Sequence, residues 1–167
     1  RIESVAILLL NCMSVSDQKD EPKNDVHKTS SETQDTKLIE ELLWSMESGA
    51  GVSWARHVTG PTAGVLKTYV NLYDYPSKSY LRTKDDIGKY GVRAYRISNA
   101  CAMYRRDVFE IQGGFADKII AGEGNLFGAG LLREGGKISY CAEAKVYYSE
   151  NSNWMAQLRR KFDEGVS

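Results

Sequence analysis

Short apolar runs suited to strands alternate along this chain with stretches whose apolar residues recur at helical spacing, and that alternation restricts the fold more than any single motif. Val5 to Leu10 is a continuous apolar run. Leu38, Ile39, Leu42, Leu43 and Met46 follow at three- and four-residue intervals, which predicts an amphipathic helix with Asp35 or Thr36 capping its first turn. Val52 to Val58 alternates as a strand does, and Val65, Leu66, Tyr69, Val70 and Tyr73 mark a second helix stopped by Pro76. Tyr95 to Tyr104 reads as a strand, Asp107 to Ile111 as a short helix and Gly113-Gly114 as a turn. Leu126 to Arg133 reads as a helix despite its glycines, and Lys137 to Tyr148 as a strand. Trp154, Met155, Leu158 and Phe162 give a last helix one apolar face. Strands alternating with helices predict an α/β layer structure, a mixed central sheet flanked by helices.

Between the first strand and the first helix, Asp17 to Glu32 holds almost no apolar residue to offset the entropy of ordering. It is expected to be a polar loop or disordered insertion within a single domain that covers residues 1–167. Tyr75 to Gly91, polar with Pro and Gly, reads as a long surface loop. At 167 residues with 42% hydrophobic content the chain can bury one core. It begins at Arg1 rather than Met, which is expected of a fragment.

Lys+Arg and Asp+Glu number 22 each, so nothing in the overall charge points to nucleic acid, which calls for a basic excess on one face. The three cysteines, Cys12, Cys101 and Cys141, are far apart in apolar stretches and read as reduced core residues of a cytosolic protein. Val5 to Leu10 is much shorter than the ~20 apolar residues that span a bilayer, and it lacks a leader's cleavage site. His27 and His57 read as solvated or strand-end residues rather than ligands.

From about Lys37 onward a series of short motifs appears in a fixed order. They are Ser53-Trp54-Ala55-Arg56, Leu72-Tyr73-Asp74-Tyr75-Pro76, Ser98-Asn99-Ala100-Cys101-Ala102-Met103-Tyr104-Arg105-Arg106, Gly113-Gly114-Phe115, Gly122-Glu123, Ala144-Lys145-Val146-Tyr147 and the ending Arg159 to Val166. The series resembles the acceptor-side portion of the bacterial rhamnosyltransferases of glycosyltransferase family 2. That resemblance implies a Rossmann-like fold of the glycosyltransferase A type, here truncated. It also implies inverting transfer of rhamnose or another hexose from a nucleotide sugar to a polysaccharide or lipid-linked acceptor, with Mg²⁺ or Mn²⁺ on the leaving diphosphate. A cytoplasmic protein working at the inner face of the membrane goes with such acceptors.

Such transfer needs carboxylate and imidazole ligands for a hard cation and a carboxylate base. Aligned by its first strand, the family's metal-binding aspartate falls on Met13; a rival alignment places it on Asp35, in Thr33-Gln34-Asp35. The family's glutamate-aspartate pair, whose aspartate is the base, is Glu123-Gly124 here, and its histidine-serine-histidine is Tyr148-Ser149-Glu150. Glu123 can stand in as base from next door, or serve as a helix-start carboxylate. Arg56, Asn99, Arg105, Arg159 and Arg160 are the candidate substrate-binding residues, the arginines through their bidentate fork. Trp54, Tyr95 and Tyr104 can stack on a sugar or belong to the core. With the metal and base positions replaced, the alternative is a catalytically inactive relic, or a module that binds acceptor or a partner.

Overall fold

A computed structural model describes residues 6–10, 26–59, 65–116 and 122–148. Within them a mixed sheet runs in the order β1-β4-β2-β5-β3, formed by β1 (Ala6–Leu10), β2 (Val52–Thr59), β3 (Tyr80–Arg82), β4 (Cys101–Arg105) and β5 (Ile138–Tyr148). β4 pairs antiparallel with both β1 and β2, β2 runs parallel to β5, and β3 closes the far side antiparallel to β5. The helices are α1 (Val26–Met46), α2 (Val65–Asp74), α3 (Ile87–Tyr90), α4 (Arg106–Ile111) and α5 (Glu123–Arg133), with 3₁₀ turns at Lys84–Asp86 and Gly91–Ala94.

Side chains along a strand alternate between faces, and each face of this sheet has its own core. On one, Val52, Trp54, Ala102, Tyr104, Ile138 and Tyr140 pack with Phe127, Leu131 and Leu132 of α5. On the other, Ala55, Cys101, Met103 and Cys141 pack against Leu42 of α1, with Leu38 and Met46 alongside. Central strands covered on both faces lose the apolar-polar alternation of a half-exposed strand, and the first five residues from Gly51 through Ala55 are indeed all buried. The expected mixed sheet flanked by helices is therefore present. Cys101 and Cys141 are buried free thiols; Cys12 lies outside the described residues.

Local expectations fared unevenly. α1 begins at Val26, so the last part of the 17–32 segment expected to be a loop is helical and Asp35 lies mid-helix instead of capping its start. Once Leu38, Leu42 and Met46 hold the C-terminal half against the sheet, adding turns costs far less than nucleating them, and helix extends into sequence with no apolar stripe of its own. The strand expected over Tyr95 to Tyr104 begins only at Cys101. Residues 95–100 instead run against the N-terminal half of α5, where a Cβ on Gly128 would lie 2.4 Å from the Tyr95 carbonyl oxygen. Glycine at 128 lets helix and chain approach that closely. The expected loop from Tyr75 to Gly91 contains β3, α3 and a 3₁₀ turn. The helix expected around Trp154 lies outside the described residues.

β5 is irregular where it matters for the site. Ala55 pairs with Cys141 but Arg56 pairs with Lys145, so residues 142–144 bulge out of register. Ser79 takes up the freed backbone: its Oγ accepts from Ala142 N at 2.7 Å and donates to the Glu143 carboxylate. Beyond the bulge, His57 lies against Tyr75, which also meets Trp54.

Candidate functional site

Three motifs that are far apart in sequence meet on the α5 side of the sheet. Pro76 ends α2, since proline has no N–H to continue it, and the Tyr140 hydroxyl donates to the Pro76 carbonyl at 2.8 Å, fixing the turn against β5. Tyr75, just before it, stacks on His57 with centroids 4.5 Å apart and an interplanar angle of 8°, and meets Trp54 edge-on at 5.9 Å. The Tyr75 hydroxyl donates to Ser98 Oγ at 3.4 Å, and Ser98 Oγ lies 3.3 Å from His57 Nε2. With Tyr75 as donor to Ser98, the serine hydroxyl proton can turn toward His57 Nε2. The solvated strand-end reading of His57 is corrected: the residue is 6% exposed, with its ring stacked on Tyr75.

One residue further on, Asn99 joins a second network. The Tyr104 hydroxyl donates to Asn99 Oδ1 at 2.5 Å, and Asn99 Nδ2 donates to Glu123 Oε1 at 2.9 Å. Burial pushes the Tyr104 phenol far above its ordinary range, and the Glu123 charge adds to that, so its O–H stays a donor. A donor on one side and a carboxylate on the other leave the Asn99 amide a single orientation. Ile97 N–H donates to Asn125 Oδ1 at 3.1 Å, so residues 97–99 are tied to the first turn of α5 from two directions.

Gly124 explains why this network exists. It is buried beneath Asn99, and a Cβ there would sit 2.7 Å from Asn99 Oδ1. Where the family resemblance sets an aspartate, this chain gives the room to the asparagine amide. Gly124→Asp should therefore destabilise the fold by about 1–3 kcal/mol. The gain from a carboxylate in the first helical turn is only about 0.3–1 kcal/mol, whereas displacing Asn99 breaks two hydrogen bonds, one to a charge, and puts two carboxylates side by side. Urea unfolding followed by circular dichroism measures this; an unchanged midpoint would show that Asn99 is not held as described.

The other expected site residues are dispersed. Arg56 lies partly buried on β2, and its Nε has no hydrogen-bond partner among the described residues; its charge opposes the upward push of burial on the Tyr140 phenol. Arg105 is drawn away from the networks: its guanidinium grips Asp107 with Nε at 3.2 Å and Nη2 at 2.5 Å, and holds that carboxyl below its usual range. Trp54 and Tyr104 are core residues with no exposed surface, not sugar platforms. Arg159, Arg160, Met13, Ser149 and Glu150 lie outside the described residues. Among the described residues no three His, Cys, Asp or Glu side chains come together in a way that could hold a metal ion. These residues alone do not fit an Mg²⁺ or Mn²⁺ site: His57 is stacked and hydrogen-bonded, and Glu123 stands with an amide beside it.

A basic, aromatic surface beside the networks was not legible as such in the sequence. Lys78, Arg82, Lys84, Lys89, Arg93 and Arg96 face only Asp74, Asp85 and Asp86 between residues 74 and 96, in a chain whose total charge is zero. The Arg82 guanidinium is sandwiched between rings, 4.3 Å from Tyr80 and 3.7 Å from Tyr90. Arg93 lies 4.4 Å over Tyr73 and donates to its hydroxyl at 3.0 Å. Arg96 lies 5.5 Å over Tyr75 and pairs with Asp74 at 2.6 Å. The available sequence signal was the density of Arg and Tyr between residues 73 and 96, which read only as loop polarity.

With this geometry in view, comparison with known proteins has a definite outcome. The chain is similar to O-antigen chain rhamnosyltransferases. It is 37% identical over 111 residues to RfbN of Salmonella typhimurium, a match spanning 66% of this chain and 35% of that protein. It is 36% identical over 104 residues to WbaN of Salmonella anatum, spanning 62% of this chain and 33% of that protein. The chain thus matches about a third of the length of these relatives. No family profile matches it, and no solved structure does. Among the described residues no helix is long and apolar enough to cross a membrane.

Proposed function

We propose that this chain is the acceptor-binding part of an inverting family 2 glycosyltransferase, one that moves rhamnose or another hexose from a nucleotide sugar to a polysaccharide or lipid-linked acceptor. The observation behind the proposal is the Tyr104–Asn99–Glu123 relay beside the Trp54–Tyr75–His57–Ser98 cluster, in a chain similar to rhamnosyltransferases. A sheet covered by α1 on one face and α5 on the other suits a portion of a Rossmann-like, glycosyltransferase A-type domain.

In this reading Glu123 is the base. Its Oε1 is oriented by Asn99, the residue is only partly buried, and Oε2 accepts no hydrogen bond among the described residues. The acceptor hydroxyl gives its proton to Oε2 as its oxygen bonds to the anomeric carbon, and the bonding pair to the diphosphate leaves with the nucleotide. Mg²⁺ or Mn²⁺ would neutralise that leaving group, and no described residue is assigned to hold it. Asn99 is a positioning residue here.

A specific observation favours a second reading, a non-catalytic acceptor-binding module. The space where the resemblance sets the aspartate base is filled by Asn99. One experiment separates the two and can dismiss both. Calorimetric titration with a rhamnose-containing oligosaccharide should show saturable binding under either reading, weakened in Asn99→Ala. Metal-dependent release of nucleoside diphosphate, by a protein that also carries a donor-binding half, is expected only under the first. Absence of both signals would dismiss the glycan-binding role altogether.

A further inference from the structure

We propose that the arginine–tyrosine surface on residues 73–96 is a binding site for a phosphate-bearing ligand. The inference does not depend on sugar transfer; it follows from how the cations there are held.

An arginine whose role is purely structural has its donors taken up by carboxylates or carbonyls. Arg96 fits that description, through Asp74. Arg82 and Arg93 have no carboxylate within hydrogen-bond reach among the described residues. The carboxylate nearest Arg82 is Asp86, at 3.7 Å, too far for a hydrogen bond. Asp86 Oδ2 accepts from the Thr83 backbone N–H at 2.9 Å and its hydroxyl at 3.2 Å, and Oδ1 is the oxygen that faces Arg82. Arg82 Nε is buried, so a ligand reaches this arginine through its Nη groups. Arg93 meets no carboxylate among them either and donates only to Tyr73. Both guanidiniums lie over phenol rings, where cation–π attraction holds them in place.

Rigid guanidinium edges match oxyanions, since the entropy of ordering the fork has been met before the ligand arrives. Phosphate suits this surface better than carboxylate because it offers three acceptor oxygens to several donors, and Lys89 adds a further cation 5.0 Å from the Tyr90 ring. The fields overlap: burial raises the Tyr80 phenol, while the charges of Arg82, Arg96 and Arg93 all act to lower it. Exposed Tyr69, Leu72 and Val92 border the surface, so the phosphate can be carried by a soluble molecule or by a lipid headgroup.

The test titrates the 167-residue chain with inorganic pyrophosphate, with malonate, and with vesicles of phosphatidylcholine alone or containing an anionic phospholipid. Saturable binding of pyrophosphate, or of anionic but not neutral vesicles, is expected, and which of the two occurs identifies the source of the phosphate. R93Q should weaken it about tenfold, the loss of one charge-assisted contact, and R82Q/R93Q further still. R106Q, which alters an exposed arginine paired with Glu110 on α4, should change nothing. Because Arg82 also packs between rings, R93Q alone keeps the test independent of folding. Equal binding of malonate, equal binding of both kinds of vesicle, no saturable binding, or full affinity in R93Q would each overturn the proposal.

Discussion

Trp54→Ala should lower the unfolding free energy by about 3–5 kcal/mol, the range for removing a fully buried large aromatic. Trp54 has no exposed surface and sits on β2, the strand at the centre of the sheet. Its indole touches three rings at once, Tyr75 at 5.9 Å, Tyr80 at 6.4 Å and Tyr140 at 4.5 Å. One term works in the other direction. The indole Nε1 is buried without a partner among the described residues, and an orphaned donor costs about 1–3 kcal/mol. Removing it returns part of the loss, so Trp54→Phe, which keeps most of the ring area and deletes the orphan, should cost less than half as much as alanine. Domains of this size are stable by only about 5–15 kcal/mol, so the alanine variant approaches the folding threshold. Chemical unfolding followed by far-ultraviolet circular dichroism measures both variants; equal losses for alanine and phenylalanine would mean that ring packing is not what Trp54 supplies.

Glu123→Gln has the largest expected effect on chemistry. Glutamine keeps the length of the side chain and an oxygen for Asn99 Nδ2, so the Tyr104–Asn99 link and the fold should survive. What it removes is the ability to take a proton. If Glu123 is the base, transfer from a nucleotide sugar should fall by about 10²–10⁴. Acceptor affinity should change little. Initial-rate assays with the wild-type and variant proteins decide this. A variant with undiminished turnover would remove Glu123 from the mechanism, and a wild type that binds acceptor without turnover would leave the non-catalytic reading.

Of the site, sequence made the components visible but not their engagements. Asn99 and Glu123 stand out as a family-like pair of motifs, yet that they bond to each other depends on α5 docking beside residues 97–99. Arg105 looked like a substrate residue as plausibly as Arg56, and only the fork onto Asp107 separates them. His57 looked solvated because a strand end usually is. The misread polar segments share one cause, that hydrophobic pattern is silent where packing from elsewhere stabilises a segment. Residues 26–35 become helix on the strength of Leu38 and Leu42, and residues 80–90 order around rings contributed by several elements.

The sequence by itself determined the alternation of strands and helices, the positions of α2, α4, α5 and β5 to within a few residues, and the burial of Cys101 and Cys141. These follow from local periodicity, helix-stopping proline and apolar character, all carried by neighbours in the chain. Only the tertiary structure decided that His57 stacks on Tyr75, that Asn99 fills the space above Gly124, and that Arg82 and Arg93 lie on tyrosines. Each of these depends on strand register and helix docking, which bring together residues whose separation along the chain says nothing of their distance in space.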